Sequence, residues 1–160
     1  MRRILVAYFS ASGVTADAAK KIAEAANADL YEIRPAVPYT EADLNWQDAQ
    51  SRSTVEMKDK AFRPAVADRN ADAAAYDTVL LGFPIWWYTA PTIINTFLES
   101  YDFSGKTIIL FATSGSTGFD KSAADLKSSV SGTAVIKEGI VVHGKQDLDI
   151  WKNWVDTLEL

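Results

Sequence analysis

The chain has 160 residues, of which 48% are hydrophobic and 11% aromatic, and its formal net charge at pH 7 is −5. This length and composition predict one globular domain over residues 1–160 rather than a disordered chain. The negative charge argues against nucleic acid or an anionic membrane as a partner. The sequence contains no cysteine, which excludes disulfides and thiolate chemistry and fits a reducing, cytoplasmic compartment.

The chain begins with a predicted strand, a hydroxyl-rich loop and a helix. Ile4 to Phe9 is an apolar run, which is typical of a buried strand rather than a signal peptide because a loop and a helix over residues 14–26 continue the unit. The loop from Ser10 to Thr15 directs hydroxyls and backbone N–H groups at the helix N-terminus, which favours a bound phosphate. On the loop alone, a plain turn with Ser12 as the helix cap stays an alternative.

The residues that this loop lacks narrow its ligand. It has no lysine, unlike the nucleoside-triphosphate loop, and it has one glycine where the dinucleotide fingerprint has three. Hydroxyls and amides alone suit a terminal monophosphate ester that is held without a metal ion, and we predict no metal site.

The rest of the chain alternates strands and helices. Strands are predicted over 30–34, 78–83, 106–112 and 135–142, and helices over 51–60, 90–101, 119–130 and 146–158, with Val55 as the clearest apolar position of the first of these helices. Residues 36–75 are irregular and polar, and they exceed an ordinary connection, so they are either functional or partly structured. The pattern predicts an α/β fold with a five-stranded, doubly wound parallel sheet, helices on both faces and doubly buried strands.

Ligands of such sheets bind beyond the carboxyl ends of the strands. The third strand is followed by the aromatic residues Trp86, Trp87 and Tyr88, and the fourth by a glycine-serine run over 113–119. Together with the phosphate loop, these loops predict a site for a phosphate, a flat ring and a polar ring edge, which describes flavin mononucleotide (FMN). At least one of the three aromatic residues is expected to pack into the core, because adjacent residues in extended chain point to opposite sides.

Three other tryptophans need an interpretation. Trp151 and Trp154 lie at helical spacing and are predicted to belong to the core. Trp46 lies in the polar segment, where it has two interpretations: a cap on the flavin or part of a hydrophobic seam.

In their order and spacing, the three loops resemble those of the flavodoxins, over the whole chain. The most specific element is the pattern [ST]-x-[ST]-G-x-T after the first strand, and residues 82–87 with Ala90-Pro91 are similar to a less-studied branch of flavodoxin-like proteins. The resemblance implies the strand order 2-1-3-4-5, a tightly bound FMN and one-electron transfer at low potential. It also implies redox partner proteins, namely a reductase and an electron acceptor.

Carried over by position, the resemblance implies three groups of FMN-binding residues. They are the phosphate group (Ser10, Ser12, Gly13, Val14 and Thr15), the ring group (Pro84, Ile85, Trp86, Trp87 and Tyr88) and the pyrimidine-edge group (Thr113, Ser114, Gly115, Gly118 and Phe119). The chain departs from better-known members in two ways. The last loop has no tyrosine to stack on the ring, and the loop after the third strand has no glycine at which a peptide flips. That flip is predicted to cost about 1–2 kcal/mol in a non-glycine residue.

Two functions are compatible with these residues. The leading interpretation is an FMN-binding electron carrier, which needs no catalytic residue, and the lone His143 is too weak a signal to suggest one. The alternative is an NAD(P)H-dependent FMN oxidoreductase that acts on quinones or similar acceptors. A phosphoacceptor signalling domain is set aside. It needs carboxylates at the ends of the first and third strands to hold magnesium, and this sequence has none at those positions.

Overall fold

The computed structural model describes residues 3–115 and 117–160. Five strands form one parallel sheet in the order β2-β1-β3-β4-β5, as predicted. The strands are β1 (Ile4–Tyr8), β2 (Asp29–Glu32), β3 (Thr78–Pro84), β4 (Thr107–Thr113) and β5 (Val135–Val142). The helices are α1 (Val14–Ala26), α2 (Arg52–Lys58), α3 (Thr92–Glu99), α4 (Ser122–Lys127) and α5 (Leu148–Thr157), with a short 3-10 turn at Ala73–Ala75.

The central strands bury alternate side chains in two cores, one on each face of the sheet. Leu5 and Ala7 pack on the face that α3 and α4 cover, whereas Val6 and Tyr8 pack on the face that α1 and α5 cover. Trp151 and Trp154 of α5 belong to the second core, as predicted. Because both faces are covered, the apolar runs of β1, β3 and β4 are continuous rather than alternating.

The prediction of doubly buried strands is wrong for the two edges of the sheet. In β2, Asp29, Leu30 and Glu32 are exposed, and β2 spans 29–32 rather than 30–34. In β5, the half from Val135 to Gly139 is mostly exposed. Each edge strand has a partner on one side only, so neither needs the two apolar faces of a central strand.

The four helices α2 to α5 are all shorter than predicted. Helix α3 begins after Pro91, whose backbone is extended (φ −57°, ψ 144°). The predicted helix over 119–130 is reduced to α4, because Asp120 has a positive φ of 46° and Phe119 packs into the core ahead of the helix. Helix α5 begins after Asp147, which is extended. None of the helices in the described ranges is long and apolar enough to cross a membrane.

The segment over residues 36–75 is partly structured and buries polar groups. Val55, the clearest apolar position of the predicted helix, is 52% exposed, whereas Glu56 of the same helix is buried. The Glu56 carboxylate accepts hydrogen bonds from the Tyr39 hydroxyl and from Arg52 Nε at 2.8 Å. The Arg52 guanidinium lies over the Tyr39 ring, 3.8 Å from its centroid. Helix α2 therefore packs through a paired carboxylate instead of an apolar stripe.

Candidate functional site

The loops after β1, β3 and β4 meet at the carboxyl edge of the sheet. The Phe9 N–H donates to the Gly82 carbonyl at 3.0 Å, and the Ile85 N–H donates to the Thr113 carbonyl at 2.8 Å. The hydroxyls of Thr15 and Thr113 are 2.7 Å apart and buried. The structure therefore brings the three predicted residue groups into one region.

The β1–α1 loop leaves the N-terminus of α1 open. Gly13 is the N-cap residue with a φ of 96°, and its N–H donates to Ser10 Oγ at 3.1 Å. No side chain within the described residues caps α1, so the alternative with Ser12 as the cap is wrong. The first hydrogen bond of the helix runs from the Asp17 N–H to the Gly13 carbonyl, which leaves the preceding N–H groups without an intrahelical acceptor. Such an end, with its partial positive charge, suits an anion.

The predicted phosphate residues differ in their access to a ligand. Ser12 and Gly13 are exposed, and Ser10 and Val14 are half-buried. Thr15 is buried, and its hydroxyl contacts the Thr113 hydroxyl. The role of Thr15 in phosphate binding stays a prediction; in this structure its hydroxyl joins the ends of two loops.

The residues after β3 form a tight turn with an unusual composition. The Trp86 N–H donates to the Thr89 carbonyl at 2.9 Å, and the Thr89 N–H donates to the Trp86 carbonyl at 3.1 Å. The central residues Trp87 and Tyr88 have positive φ values of 49° and 66°, which is the pattern of a type I′ turn. Such turns prefer asparagine and glycine, and each bulky residue there costs about 1–2 kcal/mol. We call residues 86–89 the aromatic turn.

One residue of the aromatic turn packs inward and two point outward. The Trp86 ring meets Phe9 and Tyr39 edge-on, with centroid distances of 5.6 Å and 5.4 Å. Trp87 is 40% exposed and Tyr88 60% exposed. This division confirms the expectation that at least one of the three aromatic residues belongs to the core.

Tyr39 connects the aromatic turn to α2. Burial raises the pKa of the Tyr39 hydroxyl, and its hydrogen bond to the Glu56 carboxylate raises that pKa further. The hydroxyl therefore stays protonated and donates near neutral pH. Trp86 thus packs against a Tyr39 ring that a hydrogen bond holds in place.

A cavity of about 520 Å³ lies against the aromatic turn, and we call it the ring cavity. Its volume falls within the range of small-molecule sites, roughly 300–1,000 Å³. Three parts of the chain line it: residues 85–88, the loop after β4 and the segment over 36–75. The lining residues are Leu44, Trp46, Ser53, Ile85, Trp86, Trp87, Tyr88, Ser114, Gly115 and Thr117. The aromatic side chains of the aromatic turn and the polar residues of the loop after β4 together suit a flat ring with a polar edge.

The predicted groups of site residues missed three residues of this cavity, Leu44, Ser53 and Thr117. Ser53 is 1% exposed, and its hydroxyl has no hydrogen-bond partner among the described residues. A buried hydroxyl in this state is destabilising unless a ligand or water supplies a partner. No local sequence pattern identifies Ser53 as a site residue. Trp46, for which a cap on the flavin was one of two interpretations, lines the cavity and is 69% exposed.

Several predicted residues lie outside the ring cavity. Pro84 is half-buried at the end of β3, Thr113 is buried, and Gly118 is exposed. Phe119 packs into the core on the α3 side. Ser10 lines a separate cavity of about 450 Å³ together with Tyr39.

His143 has a positional role in the loop after β4. Its Nδ1 lies 2.9 Å from the Ser114 carbonyl oxygen, and the Ser114 N–H donates to the Val142 carbonyl at 3.0 Å. The first residue of that loop is therefore tied to the last residue of β5 and to the residue that follows it. Ser116, which belongs to the predicted glycine-serine run, lies outside the described residues.

Solved structures similar to this chain share its fold over nearly its whole length. A flavoprotein from Bacteroides uniformis is 48% identical with a TM-score of 0.90, covering 97% of this chain and 98% of the other. One from Bacteroides eggerthii is 45% identical with a TM-score of 0.90, covering 100% and 99%. A flavoprotein from Lactobacillus acidophilus, solved in complex with FMN, is 23% identical with a TM-score of 0.66, covering 94% and 99%, which shows the fold alone.

A search of curated proteins found no match to this chain. The family model described as flavodoxin matches residues 3–158, which is nearly the whole sequence. This match agrees with the strand order and with the loops at the carboxyl edge of the sheet. The chain therefore belongs to the flavodoxin family.

Proposed function

We propose that this protein binds FMN and carries electrons between redox partner proteins in the cytoplasm. The observation that supports the proposal most is the ring cavity, which the aromatic turn lines together with Ser53, whose buried hydroxyl has no partner among the described residues. The Lactobacillus acidophilus flavoprotein, solved with FMN, has the same fold. FMN, when bound, supplies the redox centre, and the absence of cysteine fits the reducing compartment.

The residues of the site divide into three roles. The N–H groups at the start of α1, with Ser10 and Gly13, would hold the phosphate. The aromatic turn and the loop after β4 would hold the flavin ring. Ser53 would donate or accept one hydrogen bond at the ring, which its burial otherwise leaves unsatisfied.

The composition of the ring cavity is compatible with an electron carrier. None of its described lining residues is aspartate, glutamate, histidine, lysine or arginine, so the described wall offers no such group as a general acid or base. Electron exchange between proteins requires no such group. The net charge of −5 would steer basic surfaces of partner proteins toward short-lived encounters.

The visible spectrum of the purified protein tests FMN binding. We expect a yellow protein, or a colourless one that takes up added FMN with 1:1 stoichiometry. A colourless preparation that fails to bind added FMN contradicts the proposal.

Mixing experiments then separate the carrier from the NAD(P)H-dependent oxidoreductase. We expect the flavin absorbance to persist when NADH or NADPH is added alone, and to bleach only when a separate flavodoxin reductase is present. Rapid bleaching by either nicotinamide cofactor alone would instead support the oxidoreductase.

A further inference from the structure

A second cavity, of about 250 Å³, adjoins the aromatic turn, and we call it the cationic cavity. Trp87 lines both this cavity and the ring cavity, so one indole borders the two spaces. None of the predicted FMN residues other than Trp87 lines it. The cationic cavity is therefore a separate site next to the ring cavity.

The wall of this cavity carries more positive than negative charge. Lys60, Arg63 and Lys121 line it, and Asp125 is the one acidic residue among the described lining residues. Lys60 Nζ lies 3.6 Å from an Asp125 carboxylate oxygen, and Arg63 Nε donates to Glu99 at 2.9 Å. The ammonium of Lys121 has no ion-pair or hydrogen-bond partner within the described residues. At least one full cation therefore remains available to an anionic ligand.

The N-terminus of α3 adds a second, independent feature to the wall. Thr92, the first residue of α3, lines the cavity and is only 6% exposed, and its hydroxyl has no hydrogen-bond partner among the described residues. The N-cap residue Pro91 offers no side-chain hydrogen bond to the helix. The N–H groups of Thr92 and Ile93 precede the first hydrogen bond of this turn, which the Ile94 N–H donates to the Pro91 carbonyl at 2.9 Å. Together with the Thr92 hydroxyl, they are donors that need an acceptor.

We propose that the cationic cavity binds the phosphate group of a small phosphorylated ligand. Its volume lies below the roughly 300–1,000 Å³ of ordinary ligand sites, so it accepts a charged group rather than a whole dinucleotide. Its donors come from three directions: the 60–63 segment, the start of α3, and Lys121. A tetrahedral phosphate presents three terminal oxygens to such a set, whereas a planar carboxylate presents two.

Titration with inorganic phosphate tests this site in the protein purified with any cofactor it holds. The readouts are the NMR amide signals of Thr92 and Ile93 and the indole N–H signal of Trp87, at ionic strength held constant with chloride. We expect saturable shifts with phosphate and about tenfold weaker binding of acetate, because acetate lacks one acceptor oxygen and so loses one hydrogen bond to a charged group.

Substitutions identify the donors. Lys121→Gln and Thr92→Val are each expected to weaken phosphate binding about tenfold, the effect of removing one donor to a charged group. Lys127→Gln is the matched control, because Lys127 is exposed at the C-terminal end of α4, whose N-cap residue is Lys121, and does not line the cavity. Thr92→Val is expected to leave folding intact, because the hydroxyl that it removes has no hydrogen-bond partner in the described part of the chain.

Three results would overturn the proposal: equal binding of acetate and phosphate, equal effects of Lys121→Gln and Lys127→Gln, or shifts confined to Gly13 and Val14. The last pair reports phosphate at the β1–α1 loop, where FMN is proposed to bind. The two sets of amide signals therefore separate a failure of this proposal from a failure of FMN binding.

Discussion

The loops after β1 and β3 border the same site but reach their conformations in opposite ways. The β1–α1 loop has a positive φ at Gly13, and a Cβ added there would have no atom within 4 Å. The aromatic turn has positive φ at Trp87 and Tyr88, which are among the bulkiest residues. Glycine adopts this left-handed conformation at no steric cost, whereas for other residues the conformation is destabilising by about 1–2 kcal/mol. The first loop is therefore relaxed and open, and the second is strained and carries large side chains.

The difference indicates what each loop contributes to the site. A bare backbone can approach a phosphate closely, and glycine provides it. A flat ring needs large side chains, and the fold tolerates their strain because two backbone hydrogen bonds and the packing of Trp86 hold the turn. The absence of glycine led us to expect a costly peptide flip; in the structure the left-handed conformation is already part of the folded state.

The largest effect should come from the anchor of the aromatic turn. Trp86→Ala is expected to lower the free energy of unfolding by about 3 kcal/mol, because it removes a large side chain packed on Phe9 and Tyr39. Trp87→Ala, the neighbouring control, should change that free energy by less than about 0.5 kcal/mol and weaken FMN binding instead. Urea denaturation of the FMN-free variants measures the first effect, and FMN titration the second. Equal destabilisation by both substitutions would remove the distinction between anchor and ligand-facing residue.

The anchor of the β1–α1 loop gives the next effect. Thr113→Val is expected to lower the free energy of unfolding by about 1–3 kcal/mol, because it leaves the buried Thr15 hydroxyl without its partner. The double variant Thr15→Val with Thr113→Val should be less destabilised than the sum of the single variants, since no hydroxyl is then orphaned. Denaturant unfolding of all four proteins measures the coupling. Strict additivity would mean that this pair does not tie the loop to β4.

The difference in backbone strain between the two loops predicts changes in the free energy of unfolding that have opposite signs. Gly13→Ala is expected to lower the free energy of unfolding by about 1–2 kcal/mol, because alanine is strained at this φ. Tyr88→Gly should raise it by up to about 1 kcal/mol, since relief of strain exceeds the added entropy of the unfolded chain. Thermal and urea unfolding of the FMN-free proteins test both signs. A destabilising Tyr88→Gly would show that the turn is not strained.

The smallest expected effect tests the missed residue Ser53. Ser53→Ala should weaken FMN binding by about 0.5–1.5 kcal/mol, the contribution of one hydrogen bond, without destabilising the FMN-free protein. Ser122→Ala is the matched control, because Ser122 is also fully buried with a hydroxyl that has no partner among the described residues, but it does not line the ring cavity. Equilibrium titration with FMN compares the two. Equal affinities of both variants would exclude Ser53 from the site.

Much of the fold could be predicted because its signals are local. The apolar runs of β1, β3 and β4 identify buried strands, and α1 was predicted with the bounds that it has in the structure. The starts of α3 and α4 were not, since single backbone conformations at Pro91 and Asp120 delay the first turn of each helix. Hydrophobicity alone does not identify the buried face of α2, because Val55 is exposed while the pairing of the Glu56 carboxylate turns that residue inward.

The amino-acid sequence by itself determined the succession of strands and helices and the position of three ligand loops at the strand ends. These features depend on residues that are neighbours in the chain, through apolar periodicity and loop composition. Only the tertiary structure decided that Thr15 pairs with Thr113, 98 residues away, and that Ser53 and Trp46 join the aromatic turn around one cavity. It also decided that Trp86 packs inward and anchors the aromatic turn, while Trp87 and Tyr88 face outward. Such contacts join distant segments, and no local pattern records which of these segments meet.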